Sequence, residues 1–174
     1  MENEELREYE IATAEFTIPM FDMGMRRFFQ RKWVRQFEGA TSIFYFVDLC
    51  CYSKTRGIGS DTLLMDAIPL FGPIVNTLWF SRSNVVLVLT NVRGFKKKLA
   101  SVPLEKYFPD YVGGNDFERA VKYIISRFRQ QVHPNKLFYH YLIDIADTRD
   151  SGCMIFEALN QARTDRVRET RRSQ

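Results

Sequence analysis

Histidine and cysteine are scarce in this chain of 174 residues, with two of the first and three of the second. His133 and His140 are too few and too poorly placed for a zinc site, so metal chemistry built on imidazole and thiolate is not expected. Cys50, Cys51 and Cys153 form no pairing scheme. With no secretory signal pattern they read as buried free thiols of a reducing compartment. Long apolar runs are missing too: the longest, Ile43 to Cys51, is too short to span a bilayer and carries Asp48 inside it. No G-x-x-x-x-G-K-[ST] occurs, so there is no loop of that kind to cradle phosphates on backbone N–H groups. Aromatics are absent among Arg163, Arg166, Arg168, Arg171 and Arg172. Residues 163–174 therefore read as a frayed basic tail rather than a nucleic-acid surface. The chain begins Met-Glu rather than Met-Gly, which excludes N-myristoylation of this sequence.

What is present suits one ordinary α/β domain over residues 1–174, without repeats or linkers. Hydrophobic residues make up 45% and charged residues 26%, enough for a core and a solvated surface. Glu8 to Thr13 and Phe16 to Phe21 read as a hairpin. Ile43 to Val47, Asn84 to Asn91 and Leu137 to Ile145 read as strands, the first two as continuous apolar runs of the kind buried in parallel sheets. Between them lie helical patterns. Asp61 to Leu78 is one, with Pro69 and Pro73 expected to kink or break it at about 3 kcal/mol each. Asp116 to Val132 is another, capped by Asp116, and Ser151 to about Arg168 is the last. Lys96-Lys97-Lys98 reads as a solvated loop. Strands alternating with helices predict an open sheet covered on both faces, which binds ligands at strand carboxyl ends where strand order reverses. Asp22 and Asn91 both end predicted strands and are expected on one rim.

The segment Phe21-Asp22-Met23-Gly24-Met25-Arg26-Arg27, with Lys32-Trp33 and Phe37-Glu38-Gly39 beyond it, resembles the switch of heterotrimeric G-protein α subunits. There F-D-x-G-G-Q-R precedes K-W-x-x-x-F-E-G. Further pieces follow in order: Leu70-Phe71 with Leu78-Trp79-Phe80, Ser101-Val102-Pro103-Leu104, Phe108 to Gly113, and Asp147-Thr148 with Ile155-Phe156. The resemblance covers nearly all of this chain but only the C-terminal half or so of a full α subunit. It implies a partial Ras-like sheet lacking the first strand and phosphate loop, which leaves two inner strand edges unpaired. It also implies a GTP-binding GTPase of receptor-coupled signalling. Such a protein uses GTP or GDP with magnesium, binds a βγ dimer, receptor or effector, and is cytoplasmic, reaching the inner face of the plasma membrane only through partners.

By that resemblance Asp22 holds magnesium through water, although a carboxylate there also suits a cap on the following segment. Gly24 belongs to the switch, Asn91 to the guanine-reading N-K-x-D, and Ala146 to the last base-contacting loop. Lys32, Trp33, Phe37 and Glu38 fall on the partner-contacting segment. Trp33 reads equally as an interface anchor or as an aromatic covering the sheet. Several positions depart from the pattern. Arg26 replaces the water-orienting glutamine and has no acceptor for a water proton. Met25 replaces a hinge glycine, Val92 a base-packing lysine, and Gly94 the carboxylate that reads guanine. Asn91 alone also reads as a turn residue. These departures predict impaired or lost hydrolysis. The alternative is a nucleotide-independent interaction module working through Arg31 to Glu38.

Overall fold

A computed structural model describes residues 7–12, 17–22, 37, 39–57, 61–144, 152–153, 156–161 and 164. The chain divides into two compact units, Met1–Glu38 and Gly39–Gln174. In the first, β1 (Arg7–Ala12) and β2 (Thr17–Asp22) pair antiparallel, with Tyr9 opposite Met20 and Arg7 opposite Asp22. This is the hairpin that the sequence predicts. Phe37 is buried and meets Phe21 edge-on, ring centroids 5.8 Å apart.

The second unit holds a parallel sheet of β3 (Ser42–Asp48), β4 (Asn84–Thr90) and β5 (Phe138–Ile143), in the order β3-β4-β5. All seven residues of β4 are buried. That is what a continuous run of Val and Leu gives when helices cover both faces of a central strand. Fully burying one such side chain is worth about 1.5–3 kcal/mol, so β4 carries much of the core. On one face Tyr45 meets Phe71 and Phe128 at 4.8 and 6.1 Å, and those two rings meet each other at 5.2 Å. On the other, Val86, Val88 and Ile143 pack with Ala158 from the helical residues 156–161. The α/β class and the parallel sheet are as expected. Among the described residues the hairpin and the parallel strands form separate sheets.

Two local expectations are corrected. Helix α1 (Leu63–Val75) runs unbroken through Pro69 and Pro73. Thr62 caps it by accepting from the Met65 N–H at 3.2 Å, and the buried Leu64, Ile68, Phe71, Ile74 and Val75 secure it to the core. Tertiary packing thus overrides two poor helix formers, both of which sit on the exposed side. At its far end Lys136 Nζ donates to the carbonyls of Val75 and Phe80. Burial there lowers the Lys136 pKa. The three lysines expected in a loop instead lie in helix α2 (Val92–Leu99). Phe95 and Leu99, four residues apart, are its buried side. The lysines occupy its last turn, where cations suit the helix dipole. Lys98 turns back to donate to the Cys50 carbonyl at 3.0 Å.

Helix α3 (Phe117–Arg129) matches its expected pattern, with Ala120, Val121, Ile124 and Phe128 buried and Asp116 accepting from the Arg119 N–H at 2.9 Å. The preceding loop is fastened to it by Asp110, which accepts from Tyr123 Oη at 2.7 Å and Arg127 Nη1 at 2.6 Å. The Tyr123 hydrogen bond, then the arginine, hold the Asp110 carboxyl below its ordinary value of 3.8. A depressed folded-state pKa contributes stability above the unfolded value and loses it as pH falls through the folded one. Acid unfolding should therefore show a stability slope beginning just below pH 4, and Asp110→Asn should flatten that part of the curve in a pH series of denaturant melts.

Candidate functional site

The carboxyl ends of β3, β4 and β5 bring Asp48, Asn91 and Asp144 to one rim of the sheet. Asn91 leaves β4 in the left-handed conformation, φ 60° and ψ 43°. It is the one non-glycine residue with positive φ among the described residues. Asparagine tolerates this region better than most side chains. As the residue before α2 it could cap that helix, yet its side chain makes no capping bond. Instead its Nδ2 donates to Asp48 Oδ1 at 3.1 Å. The same oxygen accepts from the Cys50 N–H at 2.8 Å, and Asp48 Oδ2 takes the Lys54 ammonium at 3.3 Å.

Asp144, 19% exposed, is engaged from the neighbouring helix. It accepts from the Arg93 backbone N–H at 3.2 and 3.3 Å and from Arg93 Nε at 2.9 Å. A carboxylate facing the first turn of a helix gains from the charge-assisted bond and the dipole together. Exposed ion pairs alone are worth about 0–1 kcal/mol, so the backbone bond matters more here than the guanidinium. Together the two carboxylates tie three strand ends and the start of α2 into one network.

Gly94 completes the arrangement through space rather than conformation. A Cβ there would lie 2.2 Å from Asn91 Oδ1 and 3.2 Å from Cys50 Sγ. The Asn91 side chain occupies the volume into which residue 94 would project. Beneath the rim, Tyr52 Oη donates to the Val102 carbonyl at 2.5 Å, and its ring meets Phe95 edge-on at 5.4 Å. Burial first, then the charge of Asp48, pushes the Cys50 thiol up; burial raises Cys51 to about 12. Both stay protonated at neutral pH and are poor nucleophiles. Cys50 is buried, Cys51 half-buried and Cys153 exposed, so only part of the expectation of buried thiols holds.

Asp22 is the exposed last residue of β2 in the first unit, and Asn91 lies in the second. Gly24, Lys32, Trp33, Glu38 and Ala146 lie outside the described residues, as does the tail from 163 onward apart from Thr164. The described parallel strands follow chain order, so they contain no reversal of the kind expected to mark a ligand crevice. Among the described residues no group of three His, Cys, Asp or Glu is arranged to hold a metal ion. None of their helices is long and apolar enough to cross a membrane. Sequence reading misses Asp48, Arg93 and Asp144. The available signal is one aspartate at the carboxyl end of each of two predicted strands, Asp48 after Val47 and Asp144 before Ile145.

If Gly94 is required by the Asn91 side chain, Gly94→Ala should destabilise the protein by about 1–3 kcal/mol, as overpacking commonly does. Asn91→Gly in the same chain vacates the space and suits the left-handed backbone. Denaturant melts of the two single variants and the double variant should therefore show strong coupling, and additive effects would contradict the steric account.

A family model described as G-protein alpha subunit matches residues 2–162. The Guanine nucleotide-binding protein alpha-3 subunit of Neurospora crassa is 37% identical over 148 residues, 84% of this chain and 41% of its own length. The alpha-2 subunit of Kluyveromyces lactis is 39% identical over 142 residues, 81% of this chain and 26% of its own. The alpha-2 subunit of Saccharomyces cerevisiae is 34% identical over 149 residues, 85% of this chain and 33% of its own. The chain therefore spans well under half the length of these relatives.

Proposed function

Because the chain belongs to the G-protein α-subunit family, we propose that it serves receptor-coupled signalling as an α-subunit-like protein in which guanine-nucleotide binding and hydrolysis are impaired or lost. The observation that carries this reading is the Asn91–Gly94 geometry. A guanine reader of the N-K-x-D type needs a carboxylate at position 94 and the asparagine turned toward the ligand. Here position 94 has no side chain, and the asparagine carboxamide is committed to Asp48. Asp144, the other described carboxylate at this rim, is committed to Arg93. These commitments leave no carboxylate free at position 94 or 144 to meet a guanine edge, which supports the reading. Without the carboxylate, discrimination for guanine falls by orders of magnitude, since buried polar groups are left unpaired. Arg26 in place of a water-orienting glutamine supports the same reading from sequence.

The second reading is a nucleotide-independent interaction module that binds a βγ dimer or effector. One observation favours a protein-binding role. The turn Leu78–Phe80 is fastened from below by Lys136, and by Asn76, which donates to the Gln131 carbonyl at 2.7 Å. It nevertheless presents Leu78 at 88% and Trp79 at 46% exposure. The partner segment in this reading is Arg31 to Glu38, with Lys32, Trp33, Phe37 and Glu38 as its partner-binding residues.

Titration of fluorescent GDP and GTP with magnesium should give no saturable binding up to on the order of 100 micromolar, corresponding to less than about 6 kcal/mol. Guanine-selective binding at micromolar concentration or tighter would overturn the first reading. For the second, Trp33→Ala should weaken capture of a βγ dimer at least about tenfold, a difference of about 1.4 kcal/mol. Unchanged capture would remove that segment as the interface.

A further inference from the structure

The last turn of α2 carries Lys96, Lys97 and Lys98, and the chain continues as Leu99-Ala100-Ser101-Val102. It stays wound past the helix, since the Ser101 and Val102 N–H groups both donate to the Lys98 carbonyl, at 3.0 and 2.8 Å. Residue 101 is thus spaced i+4 from Lys97 and i+3 from Lys98, the separations that put side chains on one face of a helix. Ser101 is exposed, and its Oγ donates to the same carbonyl at 3.1 Å. Lys96 and Lys97 are exposed as well. The Lys96 ammonium lies over the Phe117 ring at 5.8 Å, and that of Lys98 over the Tyr52 ring at 5.3 Å. Among the described residues none of these three lysines is paired with a carboxylate, whereas Lys54, Arg56, Arg93, Arg119 and Arg127 all are.

We propose that Ser101 is a phosphorylation site, modified by a serine kinase with an acidic substrate groove and held afterwards by Lys97 and Lys98. Cations three to five residues before the hydroxyl, with the apolar Val102 after it, present the charge pattern that such a groove selects. In the transfer Ser101 Oγ attacks the γ-phosphorus of ATP. The Oγ–P bond forms, the bond from that phosphorus to ADP breaks, and the hydroxyl proton passes to the kinase. The modified oxygen no longer donates to the Lys98 carbonyl. The phosphate brings about 1.5 to 2 negative charges to the end of the helix whose dipole opposes them, and the unpaired lysines offset that cost with charge-assisted bonds. Lys98 links this site to the rest of the fold. Its ammonium donates to the Cys50 carbonyl at 3.0 Å, and the Cys50 N–H donates to Asp48. Drawn to the phosphate, Lys98 leaves that carbonyl, so the modification reaches the turn that follows β3.

The folded chain, incubated with the catalytic domain of protein kinase C and magnesium-ATP, should carry phosphate on Ser101 when its peptides are mapped by tandem mass spectrometry. Replacing both exposed lysines, Lys96→Gln with Lys97→Gln, should slow modification of that residue at least about tenfold. In the phosphorylated protein, the phosphorus-31 resonance that Ser101→Ala removes should titrate below the ordinary second phosphate pKa of about 6, and urea should return it there. The Cys50 amide should shift on phosphorylation of the parent chain and stay in place when Lys98→Met is phosphorylated. Phosphate found only elsewhere in the folded chain, or a rate at Ser101 indifferent to the two lysines, would overturn the site. A phosphate that titrates alike in the folded and urea-unfolded chain, or a Cys50 amide that does not respond, would overturn the part given to Lys97 and Lys98.

Discussion

β4 is hydrogen-bonded on both edges and buried on both faces, and the position of every group at the rim follows from that. A strand so placed cannot slip by one residue without turning its buried valines and leucines from one helix layer to the other. Its register with β3 puts Asp48 beside Thr90, and its register with β5 puts Thr90 beside Ile143. Asn91 and the residues after β3 and β5 are thereby brought together before any side chain chooses a partner. Phe71 and Phe128 on one face and Ala158 on the other then secure the helices that keep the sheet dry.

Given that placement, the rim chemistry is a matter of which polar groups satisfy one another. Asn91 and Asp48 join β4 to β3, while Arg93 and Asp144 join the start of α2 to β5. The absent side chain at Gly94 makes room for the first of these pairs. The glycine leaves no side chain at position 94, and the asparagine turns inward to tie the sheet.

Most of the fold is legible in the sequence because β4 and α3 have unambiguous patterns. A run of β-branched residues marks a doubly covered strand, and Phe117, Val121, Ile124 and Phe128 mark one helical face. α1 is harder to read, since its two prolines argue against a helix and only its packing against Tyr45 and Phe128 argues for one. α2 is hidden by its three lysines, which outweigh the Phe95 and Leu99 spacing. The rim is legible only at Asn91. Asp48 and Asp144 each follow an apolar strand, but their pairing depends on parallel register, which no local pattern reports. The family resemblance supplies the identity of the segment around Asp22 and Trp33, whose composition alone does not announce a switch.

The central claim is that Asn91 and Asp144 are committed within the protein and do not turn to a guanine base. Amide-resolved NMR tests it directly, by following the Asn91 side-chain NH2, the Gly94 and Arg93 amides and residues near Asp144 as GDP and magnesium are added to millimolar concentration. The account predicts resonances that stay in place. Saturable, guanine-selective shifts at Asn91 together with Gly94 would contradict it.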